Sequence, residues 1–140
     1  MKSPVKQIAA IATLALLITT SSAAAQTPEI SVKAQPASVV KTVPASGDTG
    51  VDPALKEISV TFSKDMKTNR MWSICQISKE SFPETAGQIH YKDNRTCVMP
   101  VKLEPGKTYV LWFNRAQFNS FRDTENHPTV PYLLVFETRK

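Results

Sequence analysis

Ile58, Val60 and Phe62 alternate with Ser59, Thr61 and Ser63. A period of two rich in β-branched residues predicts a half-buried antiparallel strand. The same spacing recurs at Tyr109, Leu111 and Phe113, and again at Tyr132, Leu134 and Phe136. Four further strands are expected over residues 39–43, 71–77, 88–91 and 96–101. Turn chemistry separates them: Gly47, Asp48, Gly50 and Asp52 fill the loop from Pro44 to Pro53, and Pro105-Gly106 marks another stop. The dipeptide Asp93-Asn94 predicts a hairpin between the 88–91 and 96–101 strands. Ala54, Leu55 and Lys56 read as a single helical turn, and residues 78–87 as a polar connection broken by Pro83. No helical period is sustained after residue 25. About seven short strands in this length predict an all-β fold, a single antiparallel β-sandwich.

The first residues follow different rules. Lys2 and Lys6 precede an almost uninterrupted apolar run from Ile8 to Leu17, and Ala23-Ala24-Ala25 then offers a small-residue cleavage site before Gln26. That arrangement predicts a secretory signal peptide over residues 1–25, cut between Ala25 and Gln26. The apolar run falls short of the roughly 20 residues that span a bilayer, so no membrane span is expected after its removal. No cysteine follows the cut, so no lipid anchor is expected there. Residues 26–38, with Pro28 and Pro36 and no aromatic, read as a flexible leader, and residues 39–140 as the domain.

Export changes the charge and redox reading. Without the signal peptide the chain carries 15 basic against 12 acidic side chains, a balance of +3. Those cations are scattered, whereas a nucleic-acid face needs them clustered, so no nucleic-acid partner is expected. Cys75 and Cys97 are the two cysteines, and in an oxidising compartment, periplasmic or secreted, they are expected to pair as a disulfide. The alternative is two buried free thiols acting as small hydrophobes.

The motif Pro44-Ala45-x-Gly47-x-x-x-Val51, followed by Ile58-x-Val60-x-Phe62-Ser63, resembles the bacterial Ig-like domains of the SbsA type. Leu103-x-Pro105-Gly106-x-x-Tyr109 and the ending Phe136-x-Thr138 are similar to two further elements of that family. Residues 123–128 look like its D-x-x-G-N-P loop, with Asn126 where the pattern has glycine; asparagine tolerates the left-handed conformation that glycine would supply. The resemblance spans roughly residues 39–138 and implies an Ig-like sandwich without catalytic content. A more distant similarity to sandwiches of the CopC type raises copper. Those proteins bind it through an N-terminal histidine, whereas this chain begins its exported part with Gln26, and His90 and His127 lie far along it.

Candidate site residues are aromatic. Trp112 sits between Leu111 and Phe113 and is expected on the opposite, outer face; Trp72 and Tyr91 are weaker companions. Exposed, the three would form a platform for a sugar ring or a protein partner. The competing expectation is that residues 114–131 fold back over Trp112, with Phe118 and Phe121 as covers. Asp123, Glu125 and Asn126 in one loop, and Asp48 and Asp52 in another, each fall short of the six or more oxygens that calcium takes, and read as solvated turns. Glu80 and Glu84 are the one carboxylate pair for a hydrolase reading, in a polar loop with nothing to raise a pKa. No nucleophile motif and no cofactor motif occurs. The chain therefore reads as an exported, non-enzymatic Ig-like module binding a protein or envelope polysaccharide, without a cofactor; the alternatives are a carbohydrate-binding module and, behind it, a calcium- or copper-binding protein.

Overall fold

Alternation becomes burial along the strands that the pattern predicted. In a computed structural model describing residues 2–4 and 22–140, Ile58, Val60 and Phe62 are each about 1% exposed, while Ser59 and Thr61 between them are half-buried. Most of the expected signal peptide falls outside the described residues, and Ala25 and Gln26 lie in an exposed stretch without regular structure.

Among the described residues eight strands occur in chain order: β1 (Val39–Val43), β2 (Glu57–Phe62), β3 (Ile74–Gln76), β4 (Glu84–Thr85), β5 (His90–Tyr91), β6 (Thr96–Lys102), β7 (Thr108–Phe113) and β8 (Tyr132–Glu137). They form two antiparallel sheets. One runs β1-β2-β6-β4 with β5 also paired to β6, and the other runs β3-β7-β8. The hairpin expected across Asp93-Asn94 is present, with His90 opposite Val98 and Tyr91 opposite Cys97. The eighth strand is β4, two residues within the expected polar connection, held by pairing with Lys102 and Val101. Residues 71–73 do not join β3, and in place of the expected helical turn over Ala54, Leu55 and Lys56 there is a turn at Pro53-Ala54, closed by the Leu55 N–H donating to the Asp52 carbonyl at 3.0 Å. Among the described residues no helix is long and apolar enough to cross a membrane.

Between the sheets the core holds Phe62 from β2, Cys97, Met99 and Val101 from β6, Tyr109, Leu111 and Phe113 from β7, and Leu134 and Phe136 from β8. Phe121 joins them from the β7–β8 connection, with ring centroids 5.0 Å from Phe62 and 6.0 Å from Phe113. Asn114 makes that insertion possible. It is fully buried at φ 60°, its Nδ2 donates to the Phe121 carbonyl and to Thr129 Oγ1 at 2.9 Å each, and its Oδ1 accepts from the Phe121 N–H at 3.0 Å. Asparagine is among the few residues that tolerate this backbone region.

Part of the stretch expected as a flexible leader is tied to the domain. Lys64 Nζ donates to the carbonyls of Lys33 at 3.0 Å and Gln35 at 2.8 Å, and Ala37, fully buried, accepts from the Val130 N–H at 3.0 Å. These bonds use backbone carbonyls, which leave no mark in a side-chain pattern.

Candidate functional site

Two surfaces collect the aromatic residues that the sequence singled out, and they separate Trp112 from the other pair. On β7, Leu111 and Phe113 face the core, so Trp112 points outward. In register it lies between Cys75 of β3 and Leu133 of β8, and Val110 opposes Val135 one row along. The outer face of this sheet therefore holds an apolar row, Cys75, Trp112 and Leu133, a second of two valines, and beyond them the polar pair Thr108 and Glu137. Of the expected covers, Phe121 is in the core and Phe118 is 59% exposed, and Trp112 itself is half-buried.

Trp72 and Tyr91 line a separate open groove of about 410 Å³ between the 66–72 loop and the β5–β6 hairpin. Both pack partly against the core. Tyr91 Oη donates to the Met71 carbonyl at 2.8 Å, which fastens the loop to the hairpin. Burial, with the nearby Cys97 thiol adding to it, pushes the Tyr91 phenol well above its ordinary range, so the hydroxyl keeps its proton. The loop turns through Arg70 at φ 54°, and the Arg70 N–H donates to the Thr68 carbonyl at 2.9 Å. Across the groove Asp93 Oδ1 accepts the Arg95 N–H at 2.8 Å; chiefly through that bond the carboxyl is held below its usual range.

The expected Cys75–Cys97 disulfide is not formed. Both thiols are free. Cys75 lies on the outer face of the three-stranded sheet, whereas Cys97 points into the core from the other sheet, so the two side chains do not face each other. Burial raises both thiols, Cys97 to about 12, and a neighbouring Arg115 offsets the rise slightly at Cys75. Neither is a thiolate at neutral pH.

The acidic loop at 123–128 is also unlike its expectation. Asp123 is fully buried, and Lys64 Nζ donates to its Oδ2 at 2.6 Å. Its Oδ1 accepts the N–H groups of Glu125 at 3.0 Å and His127 at 2.9 Å. The left-handed turn anticipated at Asn126 is present at φ 71°. Asp48 and Asp52 instead cap their own turns, accepting from Gly50 N–H at 2.8 Å and Ala54 N–H at 2.9 Å. Glu80 and Glu84 are exposed. Met66 and Met99 are core residues. Among the described residues no three His, Cys, Asp or Glu side chains converge as a metal would need.

A profile of the family described as bacterial Ig-like domain, Big_5, matches residues 32–138. The chain belongs to that family. The match begins where Lys33, Gln35 and Ala37 dock on the sandwich, and it takes in the loop and strand motifs that carried the resemblance. A crystal structure of the S-layer protein rSbsC(31-844) and a structure of surface layer protein SbsC, domains 1-6, are similar. Each has 18% identity and a TM-score of 0.47 over 77% of this chain. This chain spans 14% of each of those chains. No curated protein matches. Bacterial Ig-like domains of this family are generally non-catalytic structural modules of the cell surface or the exterior. Trp112 and Lys64 show the two limits of the sequence reading for this Ig-like domain. Strand alternation located the first; nothing local marks the second, whose carboxylate partner lies 59 residues away.

Proposed function

We propose that this Ig-like domain is an exported, non-enzymatic module that binds a protein of the cell envelope through the outer face of the β3-β7-β8 sheet. The observation that supports this reading is the apolar character of that face. Water-facing sides of antiparallel sheets are ordinarily polar, yet here Cys75, Val110, Trp112, Leu133 and Val135 share one. Contiguous apolar surface of this kind marks protein interfaces more often than it is left bare. A central tryptophan ringed by aliphatic side chains is the usual make-up of an energetic hot spot. Export is supported by the cationic start, the apolar run and the alanines before Gln26.

The test places a photo-crosslinking residue at Leu133 and, separately, at Lys41 on the other sheet, in the chain expressed in a bacterium that exports it. A discrete crosslinked band from position 133, absent from 41 and abolished by Trp112→Glu, is the expected outcome. Equal crosslinking at both positions, or a band indifferent to Trp112→Glu, would remove this face from consideration.

A further inference from the structure

The geometry points to a second binding site, for an acidic glycan, in the groove between the 66–72 loop and the β5–β6 hairpin. The ligand class is a sugar polymer carrying carboxylate or phosphodiester groups. This site is separate from the apolar sheet face and uses different residues.

Three observations combine here. First, Trp72 lines the groove while packing partly against the core, so its indole is held in place. A fixed aromatic face is what stacking on the apolar side of a pyranose requires. Second, the side chains of Asn69, Gln88 and Asn94 line the same groove and make no hydrogen bond to any described residue. Planar amides offer donor and acceptor together, which suits neighbouring hydroxyls that also do both. Third, the groove carries a net positive charge, with Arg70 and Lys92 against the one ionised carboxylate of Asp93. Arg70 and Lys92 have no carboxylate within ion-pair distance among the described residues, and Asp93 is engaged by the turn of its own hairpin. A guanidinium meets a carboxylate or phosphate in a bidentate fork.

Arg70 adds a fourth point. It sits at φ 54°, where a glycine would be free of strain and an arginine is not. Strained residues at loop tips cluster at ligand sites. Tyr91, by contrast, has its hydroxyl occupied by Met71 and acts as a positioning residue that shapes the loop. An acidic peptide would satisfy the two cations and, through its backbone, the amides; the fixed indole, which suits the apolar side of a pyranose, is what favours a glycan.

The experiment uses the chain purified after export, carrying Trp112→Phe so that Trp72 is the remaining fluorophore. It is titrated with oligogalacturonate, poly(glycerol phosphate), a neutral malto-oligosaccharide and polyglutamate. The expected result is a saturable change in Trp72 emission with one or both acidic polymers, weakening with added salt. Whichever responds identifies the acidic group. Arg70→Gly is expected to lower affinity about tenfold or more, as loss of a charge-assisted contact does, while its melting temperature stays at or above the parent's. Calorimetry on Trp72→Ala should show a loss of the same order. Silence with both acidic polymers, an equal response to the neutral sugar or to polyglutamate, or unchanged affinity in Arg70→Gly would overturn the proposal.

Discussion

Lys64 is 10% exposed by its side chain and Asp123 is not exposed at all, yet their pairing is complete. The ammonium has three acceptors, on Asp123, Lys33 and Gln35, and the carboxylate collects donors from Lys64, Glu125 and His127. An ion pair so enclosed is costly to break from one side, since the remaining charge is stranded. Asp123→Asn is therefore expected to cost about 3–5 kcal/mol in urea unfolding, and Lys64→Met with Asp123→Leu together much less. Burial alone lifts the Asp123 carboxyl, but hydrogen bonds from Lys64 and His127 outweigh it and hold it below its ordinary value. A carboxyl depressed in the folded state stabilises above its unfolded value of about 3.9, and that stabilisation is lost as pH falls through the folded value. Stability of the parent should consequently fall on acidification below about pH 4, and Asp123→Asn should lack this part of the fall. Asn114 allows a sharper comparison. Asn114→Ala removes the amide contacts and also strains the left-handed backbone, whereas Asn114→Gly removes only the contacts. The alanine variant should melt lower, by a difference worth about 1 kcal/mol. None of this was legible locally. Asp123 beside Glu125 and Asn126 has the composition of a solvated turn, and only the long-range fold brings Lys64 against it.

Strands were legible where one face is buried and the next is not. β2 follows the alternation to within a residue at each end, because burial on one side fixes the side-chain period, and β7 and β8 are bounded as closely although their outer positions are mostly apolar too. β4 escaped because two residues carry no period, and Glu84 and Thr85 are strand only through their partners on β6. The β7–β8 connection escaped for another reason. Its Phe118 and Phe121 have one helical spacing, but the segment is not helical, and one ring enters the core while the other stays outside. Phe121 touches Phe62 and Phe113 from both sheets, with Tyr91 at 6.5 Å. It therefore acts as the pin of that whole connection. Phe121→Ala should cost about 3–5 kcal/mol, and hydrogen exchange at Thr129 and Val130 should quicken more than in β7. Phe118→Ala should change stability by no more than about 0.5 kcal/mol. Equal effects of the two substitutions would mean that the connection is held by its backbone bonds alone.

At the scale of the molecule the two sheets differ in what they show to water. The five-stranded sheet carries Lys41, Glu57, Ser59 and Thr61 on its outer side, together with Val43, 40% exposed, and the buried Val98 and Thr96, with the Thr61 and Thr96 hydroxyls 3.2 Å apart. The three-stranded sheet presents tryptophan, leucine and valine. Its strands accordingly read as almost continuous apolar runs, as strands covered on both faces do. Sequence alone placed Trp112 outside, but the company it keeps depends on the register of three strands that are distant in the chain. Adjacent positions on β8 separate the two roles. Leu133 is 36% exposed and Leu134 fully buried. Leu133→Lys should leave stability within about 0.5 kcal/mol of the parent, whereas Leu134→Lys, which drives an unpaired ammonium between the sheets, should cost more than about 4 kcal/mol or prevent folding. If the outer face is an interface, Leu133→Lys should also abolish crosslinking placed at Val110, since a solvated ammonium cannot be buried there without a counterion. A folded Leu133→Lys protein that still crosslinks at Val110 would mean that the apolar row is merely tolerated, and that the partner is held elsewhere.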